Sequence, residues 1–260
     1  MADAAPSRRL AMALAVITGA ATGIGLELAR LCAADGHRLV LIDRDPRLAA
    51  VADALSAEAL PFDLATLEGI DAVCAHLERE PVELLFLNAG RGLGHAFLDQ
   101  SEDEILDVLD TNVIGTALLA RRLGPGMVAR GTGRILFTGS IAGTMPGTFQ
   151  AVYNATKSFV NSLAVAMAHE LRDSGVTVTC LMPGPTDTAF FERAGLLDTK
   201  VGQADKDDPA EVAKAGYDAM LKGREQVTPG LANKIQSTAA EILPAGVGAE
   251  MHRKMAEPRE

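Results

Sequence analysis

The feature that most constrains this chain is a glycine-rich stretch near its N-terminus. An apolar segment from Leu14 to Thr18 leads into Gly19, Gly23 and Gly25, and an apolar helical pattern follows at once. A strand, a glycine turn and a helix in this order place backbone N–H groups and the positive end of a helix against a pyrophosphate. The spacing Gly-x-x-x-Gly-x-Gly differs from the more common Gly-x-Gly-x-x-Gly. The stretch by itself therefore only suggests dinucleotide binding.

The rest of the chain alternates strand and helix patterns, which predicts an α/β fold with a Rossmann-type, doubly wound parallel sheet flanked by helices. The predicted strands cover 14–18, 38–43, 59–62, 83–87, 134–137, 176–182 and 226–228. The predicted helices cover about 23–34, 67–77, 101–123, 153–173 and 209–222, with an irregular stretch over 186–208. At 260 residues we expect a single domain, 1–260, with its core over about 12–230. The tail, 231–260, is predicted to be weakly helical with loose last residues.

Composition and charge argue against several classes of function. A net charge of −10 disfavours a nucleic-acid partner, and no segment has the roughly 18 continuous apolar residues of a membrane span. The three cysteines and five histidines are scattered without metal-ligand spacing, which predicts no metal site and a reduced, cytoplasmic compartment. Arg8 and Arg9 precede an apolar stretch and so resemble an export signal, but that stretch runs directly into the glycine turn. We interpret them as solvated arginines before a buried strand.

Polar residues follow the carboxyl ends of the predicted strands, the edge at which open α/β sheets bind ligands. They are Asp43, Asp63, Asn88, Ser140 and Pro183-Gly184. Tyr153 and Lys157 lie four positions apart and so share a helix face, and Ser140 precedes the tyrosine by thirteen residues. An ammonium beside a phenol lowers the pKa of the phenol, here toward neutrality. Tyr153 is therefore a candidate general acid and base.

In these motifs the chain resembles the short-chain dehydrogenase/reductase family, in its compact single-domain branch, over roughly residues 12–230. The motifs are Thr18-Gly19-x-x-x-Gly23-x-Gly25, Asn88-Ala89-Gly90, Asn112, Ser140, Tyr153-x-x-x-Lys157 and Pro183-Gly184-x-Thr186-x-Thr188. One departure is Leu87 before Asn88, where many members carry a second asparagine. The resemblance implies an oxidoreductase that transfers a hydride between a nicotinamide cofactor and a small alcohol or ketone.

The resemblance also implies a role for each residue. Tyr153 would exchange a proton with the substrate oxygen, and Ser140 would orient that oxygen. Lys157 would bind the nicotinamide ribose and lower the Tyr153 pKa, while Asn112 would hold a water that links Lys157 to solvent. Together with Tyr153 and Lys157, the cofactor would contact Gly19, Thr22, Gly23, Ile24, Gly25, Asp43, Arg44, Asp63, Leu64, Asn88, Ala89, Gly90, Pro183, Gly184, Thr186 and Thr188.

The choice between NAD and NADP depends on the end of the second strand. Asp43 lies eighteen residues after Gly25, where a carboxylate accepts hydrogen bonds from the adenosine ribose and repels a 2′-phosphate. Thr22 stands where phosphate-accepting relatives often carry Arg or Lys. Arg44, in contrast, could clamp a 2′-phosphate. NAD is the predicted cofactor, and NADP is the alternative.

Two other functions compete with the oxidoreductase. A catalytically silent dinucleotide-binding sensor or scaffold would be expected to lack Ser140, Tyr153 or Lys157, and an epimerase or dehydratase on this fold would carry a different glycine spacing. The candidate substrate pocket takes residues from 92–95, 141–150 and 190–197 and is mostly apolar, with Arg193 as the only nearby cation. We therefore expect an uncharged, moderately apolar alcohol or ketone.

The predicted helices over 101–123 and 153–173 are apolar on more than one stripe. A helix that is apolar on most sides is normally buried on most sides. This pattern predicts a homo-oligomer, a tetramer with a dimer as the alternative, because these helices form the subunit contacts in the family that the chain resembles.

Overall fold

A computed structural model describes residues 12–258. Within that range one parallel sheet has the strand order β3-β2-β1-β4-β5-β6-β7. The strands are β1 (Leu14–Thr18), β2 (Arg38–Ile42), β3 (Glu58–Leu60), β4 (Val82–Leu87), β5 (Gly133–Thr138), β6 (Val176–Leu181) and β7 (Gln226–Val227). The winding reverses between β1 and β4, which is where open α/β sheets bind ligands. The predicted doubly wound fold is confirmed.

Helices pack on both faces of the sheet. They are α1 (Gly23–Ala34), α2 (Leu48–Leu55), α3 (Leu67–Leu77), α4 (Glu102–Leu109), α5 (Thr116–Arg130), α6 (Ala151–Glu170), α7 (Phe190–Arg193), α8 (Lys200–Gln203), α9 (Pro209–Leu221), α10 (Leu231–Ile242) and α11 (Ala245–Ala256). A π-helical segment, Asp110–Gly115, joins α4 to α5. The helix predicted over 101–123 is thus one α-helix, a wider π turn and a second α-helix.

The strands are apolar throughout because both faces of the sheet are buried. In β1, Val16 packs into the core beneath α3, α5 and α6, and the next residue, Ile17, packs into the core beneath α1, α2 and α9. Both side chains are fully buried. Parallel sheets covered on both faces give such continuous apolar runs, since successive side chains point to opposite faces.

The C-terminal region differs most from the sequence prediction. The tail forms two regular helices, α10 and α11, and the stretch predicted as irregular contains the short helices α7 and α8. Residues 199 and 258 form an isolated β-bridge, so the chain remains packed as far as its last described residue. The interpretation of Arg8 and Arg9, and the last two residues of the tail, lie outside the described residues. Over 12–258 no helix combines the length and the hydropathy that crossing a membrane requires.

Candidate active site

The glycine turn after β1 has no room for side chains. Gly19 has φ +66° and Gly23 has φ +57°, both in the left-handed region that favours glycine. A Cβ on Gly25 would lie 2.1 Å from the carbonyl oxygen of Gly19. Gly25 itself is buried, so its role here is to let the first turn of α1 approach the end of β1.

The first turn of α1 is suited to an anion. The Thr22 side chain makes no capping hydrogen bond, and the turn contains no acidic residue. The first backbone N–H groups of a helix have no partner within the helix, and they carry the positive end of its dipole. A pyrophosphate at this position would satisfy them, so the local structure fits a dinucleotide.

Asn88 joins three neighbouring strands at the edge of the sheet. Its Nδ2 donates to the carbonyl of Thr18 at 3.1 Å, and its Oδ1 accepts from the Thr138 hydroxyl at 3.0 Å. Its backbone N–H donates to the Thr18 hydroxyl at 2.9 Å. These bonds fix the ends of β1, β4 and β5 relative to one another, and thus the floor of the site.

A cavity of about 900 Å³ opens above this edge. Of the residues that the sequence predicts to bind the cofactor, Gly25 alone does not line it. Those that do are Gly19, Thr22, Gly23, Ile24, Asp43, Arg44, Asp63, Leu64, Asn88, Ala89, Gly90, Tyr153, Lys157, Pro183, Gly184, Thr186 and Thr188. Ser140 lines the same cavity, so the cradle for the phosphates and the candidate catalytic groups share one space.

Ser140, Tyr153 and Lys157 converge in the interior of this cavity. Each side chain is more than nine-tenths buried. The Lys157 ammonium lies 5.9 Å from the centroid of the Tyr153 ring and donates to the carbonyl of Thr138 at 2.7 Å. The Phe190 ring covers Tyr153 with a centroid distance of 5.1 Å. The phenol is therefore enclosed by an apolar wall on one side and by polar groups on the other.

Burial dominates the pKa values of both titratable groups. It raises the pKa of Tyr153 to about 12, against the opposing effect of a hydrogen bond with Ser140. Burial also lowers the pKa of Lys157 to about 8. The expectation of a lowered Tyr153 pKa is wrong for this structure, because the Lys157 ammonium is directed to the Thr138 carbonyl and desolvation of the phenol outweighs its influence.

Ser140 is held by a residue that the sequence analysis missed. Asn161, two turns along α6 from Tyr153, accepts from the Ser140 N–H at 3.2 Å and donates to the Ser140 carbonyl at 2.9 Å. The Ser140 hydroxyl in turn accepts from the N–H of Ala142 at 3.0 Å. Asn161 carries no local sequence signal, because an asparagine on a helix usually faces solvent.

Asn112 lies in the π-helical segment and is almost fully buried, but it does not line the cavity. Its Oδ1 accepts from the N–H of Arg91 at 2.8 Å, and its Nδ2 donates to the Arg91 carbonyl at 2.9 Å and to the Thr156 hydroxyl at 3.0 Å. A Cβ on Gly90 would lie 3.3 Å from both Asn112 Oδ1 and Lys157 Nζ. Asn112 therefore fixes the loop after β4 beside Lys157.

The end of the cavity next to β2 is rich in charge. Asp43 accepts from the N–H groups of Ala21 and Asp45, both at 3.0 Å. Arg44 donates to Asp63 at 2.7 Å and to Asp107 at 3.2 Å.

Two further arginines line the same end of the cavity. Arg91 also pairs with Asp107. Arg193, expected to be the only cation near the substrate pocket, donates to Asp45 at 3.1 Å and connects α7 to the end of β2. Arg44, Arg91 and Arg193 thus each form an ion pair with an aspartate.

One wall of the cavity, which the sequence did not predict, is formed by the two C-terminal helices. Asn233 and Gln236 of α10 and His252 and Met255 of α11 line it. The sequence shows only that Gly248, His252 and Ala256 are four positions apart and so share one face of a helix; their burial is seen only in the structure. Within 12–258, no three His, Cys, Asp or Glu side chains are grouped as a metal ion would need.

The fold and the site together define the chain as a dinucleotide-dependent oxidoreductase built on a doubly wound sheet. The chain belongs to the short-chain dehydrogenase family, since the family model described as short chain dehydrogenase matches residues 13–196. It is 36% identical over 221 residues to a galactitol 2-dehydrogenase (L-tagatose-forming) of Cereibacter sphaeroides, covering 80% of this chain and 87% of the relative.

Solved structures give the same family. A short-chain dehydrogenase from Sphingobium yanoikuyae in complex with NADPH superimposes with a TM-score of 0.80 at 30% identity, over 90% of this chain and 97% of that one. A family member from Burkholderia phymatum in complex with NAD gives a TM-score of 0.78 at 28% identity, over 89% of this chain and 93% of that one.

The chain is therefore a nicotinamide-dependent enzyme that transfers a hydride between its cofactor and an alcohol or ketone. The silent sensor or scaffold has no support among these relatives.

Proposed function

We propose that this enzyme interconverts an uncharged secondary alcohol and its ketone, with Ser140, Tyr153 and Lys157 as its catalytic residues and Asn112 as a positioning residue. The observation that carries the proposal is the convergence of the three buried polar side chains in the cavity that also contains the glycine turn. The bound nicotinamide supplies or accepts the hydride, and the protein supplies position and electrostatics.

Tyr153 and Ser140 act on the substrate oxygen. With a pKa of about 12, the Tyr153 phenol is protonated at neutral pH and can give its proton to the oxygen of a ketone during reduction. The Ser140 hydroxyl accepts from the Ala142 N–H and donates to the Pro183 carbonyl at 3.4 Å, and with substrate bound it would donate to the substrate oxygen instead. Asn161 holds the Ser140 backbone in place. Lys157, at the floor of the site, would hold the ribose hydroxyls and favour the phenolate that forms when the proton leaves. Asn112 keeps the loop after β4 in place beside Lys157.

NAD is the proposed cofactor. Asp43 is fixed by two backbone N–H groups at the end of β2, where its charge would repel a 2′-phosphate. Arg44 is already paired with Asp63 and Asp107, so a 2′-phosphate would compete with two carboxylates for its guanidinium. Titration of the protein with NADH and with NADPH, followed by nicotinamide fluorescence, tests this choice, and tighter binding of NADPH would contradict it.

The proposed assembly is a homotetramer, with a homodimer as the alternative. Leu106 of α4, Ile114 of the π-helical segment and Phe159 of α6 are large apolar residues that are 53%, 42% and 40% exposed. Their elements are the ones whose sequences are apolar on more than one stripe. Light scattering during size-exclusion chromatography measures the mass, and a single species at the monomer mass of 27.2 kDa would contradict the proposal.

We propose a cytoplasmic protein with one domain. Cys32, Cys74 and Cys180 are free thiols, as in proteins of the reducing cytoplasm. Helices α10 and α11 line the same cavity as the core, which supports one cofactor-binding domain over 1–260, with its core at about 12–230 and the tail as part of the site.

The test of the proposed chemistry is Tyr153→Phe. The ring still packs against Phe190, so NADH binding should stay within about twofold, while turnover of ketones should fall by about a thousandfold. A matched control is Tyr217→Phe, which removes the hydroxyl of the other tyrosine, bonded to Asp35 on the opposite side of the sheet. Turnover in folded Tyr153→Phe close to that of the wild type would contradict the assignment.

A further inference from the structure

Helix α11 is fastened to the loop that leads into the catalytic helix α6. The Thr148 hydroxyl donates to the carbonyl of Ala249 at 2.8 Å, and His252 Nδ1 lies 2.9 Å from the carbonyl of Thr148. A Cβ on Gly248 would lie 3.5 Å from the Met145 side chain. The C-terminal helix thus forms a wall of the cavity beside the residues that precede Tyr153.

These contacts fix the protonation pattern of the His252 ring. A carbonyl oxygen only accepts hydrogen bonds, so Nδ1 must carry the proton that it shares with Thr148. Burial lowers the pKa of His252 from its ordinary value, against the opposing effect of that hydrogen bond, and so favours the neutral ring. In the neutral tautomer with Nδ1–H, the other nitrogen, Nε2, is a bare acceptor.

His252 is a buried polar side chain whose second nitrogen has no partner among the described residues. The residue is 5% exposed and lines the cavity. Within 12–258 no group forms a hydrogen bond with Nε2, although Nδ1 is bonded to Thr148.

The cavity that His252 lines has both apolar and polar walls. Its apolar lining residues include Ile141, Met145, Phe190, Phe191, Val201 and Met255, and its polar ones include Gln150, Lys200, Asn233 and Gln236. No protein group among the described residues bonds to Nε2, so a ligand that brings a hydrogen-bond donor can replace water at this nitrogen.

We propose that His252 is a substrate-recognition residue whose Nε2 accepts a hydrogen bond from a second hydroxyl group of the substrate, away from the carbon that is oxidised or reduced. The substrate class is then a hydroxyketone and the corresponding diol, rather than a simple ketone and alcohol. The inference rests on the proposed function, because it places this hydroxyl in the same cavity as Tyr153. A hydroxyl is an uncharged donor that pairs with the neutral acceptor nitrogen of the ring.

The experiment compares matched ketones. The probes are a series of 2-alkanones and the same ketones with a hydroxyl at the far end of the chain, each reduced with NADH or NADPH. At the chain length that spans the cavity, the wild-type enzyme should favour the hydroxyketone in kcat/KM by about tenfold or more, because a site built to bond a hydroxyl discriminates against the analogue without it.

Two substitutions separate Nε2 from the tether to Thr148. In His252→Asn the amide nitrogen can stand where Nδ1 stands and keep the bond to Thr148, but nothing replaces Nε2. The preference for the hydroxyketone should fall by about tenfold, while kcat/KM for the plain ketone stays nearly constant. His252→Gln can place an amide oxygen where Nε2 stands and should restore part of the preference.

Thr148→Val is the matched control. It removes the other hydrogen bond between the loop and α11 and leaves both ring nitrogens of His252 unchanged. If His252 acted only as a tether, Thr148→Val would change both members of a pair alike, and His252→Asn, which keeps the bond to Thr148, would change neither. If Nε2 recognises the hydroxyl, Thr148→Val keeps the preference and His252→Asn loses it.

The remaining outcomes overturn the inference. Equal reduction of both members of every pair by the wild type would leave the proposed function standing and refute the role of His252. A preference that survives in His252→Asn and disappears in Gln150→Leu would assign recognition to Gln150, another buried polar residue of the cavity wall. Failure of the wild type to reduce any member with either cofactor would refute the substrate class and the inference together.

Discussion

The two ends of the cavity are built by different means. At the cofactor end, glycines leave no space beside β1, and Asn88 joins three strands through its side chain and its backbone N–H. At the substrate end, a loop, two short helices and the C-terminal helices meet through a few side-chain hydrogen bonds. Helix α10 there exposes Leu231 at 76% and Ile235 at 62%.

This difference explains how proteins with the same fold can share a cofactor and act on different substrates. The cofactor end consists of backbone groups at the ends of central strands, whose positions the whole sheet determines. The substrate end consists of connecting and terminal segments, which can change without disturbing the sheet. Substitutions at the first end should alter cofactor binding or folding, and substitutions at the second should alter the substrate KM.

Lys157 lies where the cofactor end and the substrate end of the cavity meet. Of the substitutions considered, Lys157→Met should cause the largest loss of turnover. Turnover should fall by about a thousandfold, since the positive charge beside the phenol is lost. The same change should raise the melting temperature at pH 7 by about 2–4 °C, because a buried charge is replaced by an apolar chain of similar length. Steady-state kinetics and calorimetry measure both effects.

The stability gain of Lys157→Met should depend on pH with a definite sign. Burial lowers the Lys157 pKa from 10.5 to about 8, so the unfolded chain binds the proton more tightly than the folded one. The stability of the wild type therefore rises as pH increases from about 8 to 10.5. The advantage of the variant should be largest below pH 8 and should shrink over that range. Parallel stability curves would show that the lysine binds its proton equally tightly in the folded and unfolded states.

Gly25→Ala should be the most destabilising single change at the cofactor end. The new Cβ would lie 2.1 Å from the Gly19 carbonyl oxygen, so α1 must move away from the end of β1. We expect a loss of about 3 kcal/mol in the free energy of unfolding. The control, Gly124→Ala in α5, meets nothing within 4 Å and should be neutral or stabilising by up to about 1 kcal/mol. Equal stability of the two variants would mean that the turn is not tightly packed.

Asp43→Asn should change the choice of cofactor by about tenfold. The substitution removes the negative charge that we propose faces the adenosine ribose, so the ratio of the NADPH to the NADH dissociation constant should fall. Asp71→Asn is a control of equal charge change, because Asp71 pairs with Arg122 on the surface. A ratio that stays constant in Asp43→Asn would assign the choice to the arginines of the cavity.

Asn233→Ala should give the smallest effect, confined to the substrate end. Asn233 donates to Asp207 at 2.6 Å and to the Pro229 carbonyl at 2.9 Å, and these bonds anchor the start of α10. The KM of a ketone should rise by about threefold, with an unchanged NADH dissociation constant. Thr238→Ala, on an exposed turn of the same helix, should change neither. A parallel rise in both constants would contradict the proposed separation of the two ends.

Local patterns were sufficient for the sheet and for most of the site. An apolar run such as 14–18 can be buried on both faces only in a covered sheet, and the carboxyl ends of its strands must lie at one edge. The sequence alone therefore places Asp43, Asn88 and Ser140 together, and Tyr153 and Lys157 share a face because of helical geometry. The pairing of Tyr153 with Lys157 depends only on positions within one helix. The grouping of Asp43, Asn88 and Ser140 depends only on the fact that parallel strands end at the same edge of the sheet.

Only the tertiary structure decided what depends on distant segments. That Asn161 fixes Ser140, that Arg44 is paired with two carboxylates, and that His252 lies in the cavity wall all require segments far apart in the chain to meet. The raised pKa of Tyr153 has the same origin, because desolvation depends on everything packed around the phenol. The sequence determined which groups can react, and the packing of the C-terminal helices decided which residues complete the cavity around them.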